Sequence, residues 1–412
     1  MQVKLTLELA EALSPTVDQL ISDQVASRIA AKDSTVWGSE AEAEAAIRLG
    51  WVDSAKSSVD LIPAILKLRD QFREQGLDRV VLCGMGGSSL APEVIGKNTN
   101  HEIVILDSTA PDQVQSAVRD LERTIVVVSS KSGSTVETDS QKRALEAGFR
   151  AEGIDPRDRI VIVTDPGSPL QDAAESDGYR VFNADPTVGG RYSALTAFGL
   201  VPTGLAGSDI STLLANASMA RSELASDSID NPALWLAAAL AATPGSTDVK
   251  DKFLIETDLL PGFGDWVEQL VAESTGKLQK GTLPVVVTKS APEISDRPED
   301  TLMVSFSDSD PSISDVTFSG QLGELFLLWE YATAIAGQIL GINPFDQPDV
   351  ESAKIAARQL LDAPHFSSEV DFVDRGVSVT SYGMNVVGST VEAAVEQLFE
   401  QQLERVEPHA RI

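Results

Sequence analysis

Cysteine is nearly absent from this chain. A single residue, Cys83, in 412 excludes any internal disulfide and every metal site built on several thiolates. It ends an apolar run, so it reads as a small core residue. Histidine is almost as scarce: His101, His365 and His409 show no ligand spacing, and no metal is expected. Basic charge is short as well, with 32 Lys and Arg against 62 Asp and Glu, a formal balance of −30. That argues against nucleic acid and anionic membranes as partners. Long hydrophobic runs are missing too. Nothing approaches the ~18 apolar residues of a membrane span, and the longest candidate, 233–243, reads as an Ala-rich helix of core or interface type. The first eight residues alternate polar and apolar side chains without a continuous hydrophobic stretch. A secretory signal is therefore not expected, and the cytoplasm is the expected compartment.

What is present suits a globular protein of two or three domains, at roughly 150 residues each. Residues 1 to about 75 read as helical, with apolar spacing of helix type over 17–31, 40–49 and 57–73. From 78 onward, β-rich apolar runs at 80–83, 103–106, 125–128, 160–163 and 180–182 alternate with helix-length segments such as 113–121 and 140–151. A second set of runs, at 253–255, 285–287 and 303–306, follows the Ala-rich segment 207–245. Helices are expected at 324–340, 350–361 and 391–404, with a strand at 377–380. Strands alternating with helices imply parallel sheets covered on both faces.

Two turns stand out for their donors. Ser130-Lys131-Ser132-Gly133-Ser134-Thr135 follows the run 125–128, and a helix starting near Glu137 would aim its free N–H groups into the same turn. That is a phosphate-holding composition. One βα unit upstream lies Gly84-Met85-Gly86-Gly87-Ser88-Ser89, with Asp107 ending the next run. It is close to a dinucleotide fingerprint, but Ser89 stands at the last glycine position. The turn serves a nicotinamide cofactor, a sugar phosphate shared with the 130–135 turn, or no ligand at all. Open α/β sheets collect ligands at neighbouring strand ends, which favours the second.

Three further segments carry chemistry. In Thr187-Val188-Gly189-Gly190-Arg191-Tyr192-Ser193 two glycines precede a permanent cation, either at a ligand or on an ordinary surface turn. Glu273 sits in the last turn of an amphipathic helix stopped by Gly276, where the helix dipole disfavours its charged form. It is either a base with raised proton affinity or a solvated partner of Lys277. Asn343-Pro344-Phe345-Asp346-Gln347-Pro348-Asp349-Val350-Glu351-Ser352-Ala353-Lys354 reads as a turn into a helix. Asp346 or Asp349 would cap it, and Gln347 and Lys354 would face a pocket or water.

Taken together, the order and spacing of these motifs over about residues 80–360 resemble the phosphoglucose isomerase family. With Lys32-Asp33-Ser34-Thr35-Val36-Trp37 and Arg48-Leu49-Gly50-Trp51, the chain looks most like the isomerase half of bacterial transaldolase–isomerase fusions. The resemblance implies an α/β protein of two sugar-isomerase (SIS) three-layer α/β/α domains with parallel-rich sheets, plus N- and C-terminal helical segments. The expected boundaries are 1–77, 78–206, 207–365 and 366–412. It implies a cytoplasmic homodimer of carbohydrate metabolism that interconverts glucose 6-phosphate and fructose 6-phosphate without cofactor or metal. By the same resemblance Ser130, Ser132 and Thr135 would bind the phosphate with Lys131 in the same turn, and Gly87 and Ser88 would line the sugar. Glu273 would move the proton between C2 and C1, and Arg191 would stabilise the enediolate. Gln347 and Lys354 would contact substrate, with Lys354 assisting ring opening.

Two departures accompany the resemblance. The family's ring-opening histidine should precede the helix at 324, where this chain reads Ser319-Gly320-Gln321-Leu322-Gly323. Lys354 would act alone, His365 would reach in, or open-chain substrate would be used. Asp349 also stands where the family's last motif has glycine. Two other functions compete. A non-catalytic sugar-phosphate sensor built from the same domains would ordinarily carry a basic DNA-binding helix pair, which is not evident here, and has no use for Glu273, Arg191 and Lys354. A nicotinamide oxidoreductase would leave the 130–135 and 189–193 motifs unexplained.

Overall fold

The alternation in Gln2-Val3-Lys4-Leu5 makes a strand, β1 (Gln2–Leu5), where helix was expected for the whole of 1–75. Helices follow at Leu7–Ser22, Val25–Ala30, Glu42–Arg48 and Ile62–Glu74. The expected helix 17–31 is broken because Gln24 takes a left-handed conformation, φ 55°. The computed structural model describes residues 1–241, 251–306, 313–348, 370–381 and 388–403, with positions 350, 352, 353, 355, 356, 359 and 386 between them.

Five β-rich runs then form one sheet: β2 (Arg79–Cys83), β3 (Ile103–Leu106), β4 (Thr124–Ser129), β5 (Ile160–Thr164) and β6 (Arg180–Asn183). All pairs are parallel, in the order β3-β2-β4-β5-β6. Period-two alternation sorts the side chains onto two covered faces. Val80, Leu82, Ile125, Val127, Val161 and Val163 enter one core, whereas Val81, Cys83, Val126, Val128, Ile160 and Ile162 enter another. Cys83 is a buried core residue, as its position suggested. The chain leaves β2 in one direction and, from β4 onward, builds in the other. The crevice between the carboxyl ends of β2 and β4 is thus the sheet's topological switch point, where doubly wound sheets bind ligands. The turns at 84–89 and 130–135 leave these two strands.

The second sheet contains β7 (Lys252–Glu256), β8 (Leu283–Val287), β9 (Thr301–Phe306) and β10 (Val316–Ser319), in the order β1-β10-β9-β7-β8. Its pairs are parallel except that β1 lies antiparallel on β10, Gln2 opposite Ser319 and Leu5 opposite Val316. Neither β1 nor β10 was foreseen, because four alternating residues are too few to tell period 2 from period 3.6. The helix Phe263–Thr275 connects β7 to β8, so its last turn lies at the amino edge of this sheet. The helix Leu322–Leu340 is buried from Leu325 to Gly337 and packs against Ile210–Leu224 and Pro232–Ala241. Phe253, Ile255, Val304 and Phe318 join the same core as one face of the first sheet.

The chain forms two units, Met1–Asp346 and Gln347–Ile412. In the second unit a hairpin pairs β11 (Phe372–Asp374) with β12 (Val377–Val379). Its two-residue turn, Arg375 and Gly376, has positive φ at both positions, the conformation that matches strand twist. The expected terminal helix runs Val391–Leu403. Of the expected helix 350–361, positions 350, 352, 353, 355, 356 and 359 are helical, and the others lie outside the described residues. Among the described residues no helix is long and apolar enough to cross a membrane.

Candidate active site

The turn after β2 is shaped by close backbone approach. Gly86 has φ +55°, and a Cβ there would stand 2.6 Å from Gln269 Nε2. A Cβ on Gly87 would stand 2.3 Å from the carbonyl oxygen of Gly190. Ser193 Oγ donates to Gly190 O (2.6 Å) and Gly87 O (3.4 Å), tying the two glycine turns together. The Gln269 side chain, from the helix Phe263–Thr275, thus stands against Gly86. Asp107, the ribose candidate, accepts instead from Gln113 Nε2 at 3.0 Å. Neither observation favours the nicotinamide reading.

Arg191 is not a surface residue. Its side chain is 1% exposed, and its guanidinium is held at every nitrogen. Nε donates to Ser274 Oγ (2.7 Å), Nη2 to Pro344 O (2.7 Å) and Asp346 O (3.2 Å), and Nη1 lies 3.3 Å from Glu273 Oε1. A planar fork held at four points is a fixed charge that does not reorganise. The neighbouring Tyr192 anchors the motif in an aromatic cluster, 5.3 Å from Trp51 and 5.6 Å from Phe345, which Trp37 meets edge-on at 4.8 Å. Burial pushes the Tyr192 hydroxyl up to about 12.

Glu273 is the partly open member of this group, with its side chain 21% exposed. Gln269, one helical turn earlier, donates from Nε2 to Glu273 Oε2 at 3.2 Å. Each carboxylate oxygen therefore faces one donor, and the carboxylate keeps access to a reactant. The alternative partner, Lys277, is occupied elsewhere. Its ammonium donates to Asn343 O (2.8 Å), Asp346 O (2.7 Å) and Asp346 Oδ1 (2.6 Å), and desolvation lowers its proton affinity. Asp346 is thus the carboxylate partner of Lys277. Gly276 does follow the helix, but with φ −73°. Glycine is needed there because a Cβ would meet Ala272 O at 2.7 Å.

The 130–135 turn sits at the carboxyl end of β4, beside β2. The helix Val136–Ala151 begins directly after it, with Thr135 at the N-cap. The Thr135 hydroxyl does not cap this helix; it lies 3.1 Å from Ser130 Oγ. First-turn N–H groups are left for a ligand. Ser132 Oγ meets Ser134 Oγ at 3.1 Å, and Gly133, at φ +67°, lies against Leu170. A cavity of about 240 Å³ opens here, lined by Ser130, Ser134, Thr135, Thr138 and Lys142 among others. The Thr138 hydroxyl is buried and lacks a partner among the described residues. Lys131 does not line the cavity; it is ion-paired with Asp165.

Gly87, Arg191 and Glu273 thus come together in one group, whereas Ser130 and Thr135 line a cavity at the adjacent strand end that Glu273 does not line. Half-buried Ser88 lies in the β2 turn, whose strand adjoins β4. Gln347 opens the second unit, and Lys354, Asp349 and His365 lie outside the described residues. Gln269, Ser274 and Thr138 were missed from sequence. The spacing of four between Gln269 and Glu273, which shares one helix face, was the available signal.

The profile of the phosphoglucose isomerase family matches residues 72–294. A protein of Methanococcus maripaludis named "Probable glucose-6-phosphate isomerase" is 28% identical, over 74% of this chain and 84% of its own. Among solved structures, a hypothetical protein from Thermus thermophilus superposes with a TM-score of 0.72 at 23% identity, covering 88% of this chain and 100% of that one. A glucose-6-phosphate isomerase from Chlamydia trachomatis superposes with a TM-score of 0.64 at 19% identity, covering 86% and 85%. At these identities the two structures speak for the fold.

Proposed function

The chain belongs to the phosphoglucose isomerase family, and we propose that it interconverts glucose 6-phosphate and fructose 6-phosphate through a cis-enediolate. The observation that carries the reading is the placement of a partly open carboxylate, Glu273, 3.3 Å from a buried, immobile arginine beside the Gly86–Ser88 turn. Moving a proton between carbons next to a carbonyl needs a positioned base and a cation where negative charge develops. Glu273 takes the proton from C2 and returns it to C1, and the reverse. Arg191 stabilises the oxyanion. Because its other contacts are made before substrate arrives, little reorganisation accompanies the charge development.

The dianion is held at the neighbouring strand end by the hydroxyls of Ser130, Ser132 and Thr135, the free amides of the helix Val136–Ala151, and Thr138. Gly87 and Ser88 line the sugar between the two groups. Phosphate binding at a distance from the reacting carbons supplies positioning. The family resemblance further supports a cytoplasmic homodimer with a place in glycolysis and gluconeogenesis, and the chemistry asks for no cofactor.

The test is purified protein with fructose 6-phosphate, with glucose 6-phosphate detected enzymatically, and its Glu273→Gln variant in deuterated water. The variant should keep sugar-phosphate binding and lose deuterium incorporation at the carbon that carries the transferred proton, C1 of fructose 6-phosphate and C2 of glucose 6-phosphate. Undiminished exchange would remove Glu273 as the base.

A further inference from the structure

Lys131 is the only basic residue of the 130–135 turn, and its ammonium does not remain there. It pairs with Asp165 Oδ2 at 2.5 Å, the two side chains being 23% and 17% exposed. The pairing is built into the backbone. Ser130 N donates to Val163 O (3.0 Å), and Thr164 Oγ1 donates to Ser130 O (2.7 Å) while meeting Ser168 Oγ (2.7 Å). Gly133 rests on Leu170, where a Cβ would lie 2.8 Å from the Leu170 amide nitrogen. The end of β5 therefore fixes the course of the phosphate turn and, one residue later, holds its lysine. Asp165 Oδ1 is buried without a partner among the described residues. Burial raises the proton affinity of Asp165 and Lys131 opposes that rise; Arg48 and Asp185 act on it with opposite signs.

A free ammonium beside a phosphate dianion would strengthen binding equally in substrate, transition state and product. Such uniform binding lowers KM without raising kcat and slows product release. Given the sugar-phosphate reading of the site, we propose that Asp165 is a positioning residue that sets affinity for the phosphorylated sugar. It keeps Lys131 in a neutral pair at the edge of the turn, so that the turn's hydroxyls and amides hold the dianion with no free charge from Lys131. Lys142 and Arg143 in the same cavity are likewise paired, with Glu146 and Asp139.

A charge series in the full-length protein tests this, with steady-state kinetics on fructose 6-phosphate and inorganic phosphate as competing anion. Asp165→Asn, which adds one net positive charge, should lower KM by about tenfold at low salt. Its kcat should stay within about twofold of wild type. Lys131→Met leaves an unopposed carboxylate and should raise KM. The double variant, which removes a neutral pair, should lie between the two. The spread should collapse near about 0.5 M salt, where screening acts within a few ångströms. A rise in KM for Asp165→Asn, or shifts of the two single variants in the same direction, would overturn the proposal. If Asp165→Asn does not fold, an unchanged KM in Lys131→Met overturns it equally. Wild-type protein without turnover would defeat the isomerase reading instead. The same order of affinities, measured calorimetrically with inorganic phosphate, would then decide the role of Asp165.

Discussion

Gly87→Ala would place a methyl group 2.3 Å from the carbonyl oxygen of Gly190 and 2.5 Å from its carbon. Carbon–oxygen contacts of this kind ordinarily close to about 3.4 Å, so the two turns must part by roughly 1 Å. Neither side can yield by rotating a side chain, because both are backbone. Arg191 follows Gly190 directly and moves with it, away from the geometry that places Nη1 3.3 Å from Glu273. A displacement of about 1 Å at a reacting group costs on the order of 10²-fold, or about 2.7 kcal/mol of transition-state stabilisation. The assay is kcat/KM for fructose 6-phosphate, with thermal unfolding recorded beside it. Gly189→Ala is the control. Its φ of −66° and ψ of 154° suit any residue, and an added Cβ meets only Tyr192 Cδ2 at 3.9 Å. It should retain activity and gain up to about 1 kcal/mol from a less flexible unfolded chain. Activity in Gly87→Ala within threefold of wild type, or equal losses in both variants, would refute the reasoning.

Lys277→Met should cost about 3 kcal/mol of stability, because the nearly buried ammonium is the donor to two carbonyls and the Asp346 carboxylate; calorimetry showing under about 1 kcal/mol would contradict that. Thr135→Ala should raise KM before it lowers kcat, since it removes binding common to ground and transition states, and a selective fall in kcat would count against its assignment. Glu330, fully buried on the helix Leu322–Leu340 with neither oxygen partnered among the described residues, has its proton affinity raised well above the ordinary carboxylate range by desolvation. The folded protein therefore holds a proton that the unfolded chain releases. Stability from this group is full below the ordinary carboxylate pKa and is lost as pH rises through the folded value, at about 1.4 kcal/mol per pH unit. Glu330→Gln should raise Tm relative to wild type increasingly from pH 5 to 8 and leave it unchanged near pH 4. A gap independent of pH would show that the carboxyl is not the cause.

Much of the first sheet was legible before any coordinate. Runs such as Ile125-Val126-Val127-Val128 are β-branched without interruption because both faces are covered, and that pattern is local. The glycine and hydroxyl turns after β2 and β4 were legible for the same reason, since a turn's composition reports its own backbone. The motifs also carried the family. The second sheet was only partly visible, because β1 and β10 show four alternating residues each.

Which charges meet was decided by packing alone. Glu273 faces Arg191 and not its near neighbour Lys277, which reaches 69 residues onward to Asp346. Lys131 reaches 34 residues to Asp165 and leaves its own turn. Side-chain composition sets which groups are available, and it did so here for hydroxyls, glycines, one carboxylate and one arginine. Only the stacking of a helix from one sheet on the strand ends of the other chooses among partners of equal charge, because Coulomb attraction depends on distance and burial, and neither is a property of sequence order.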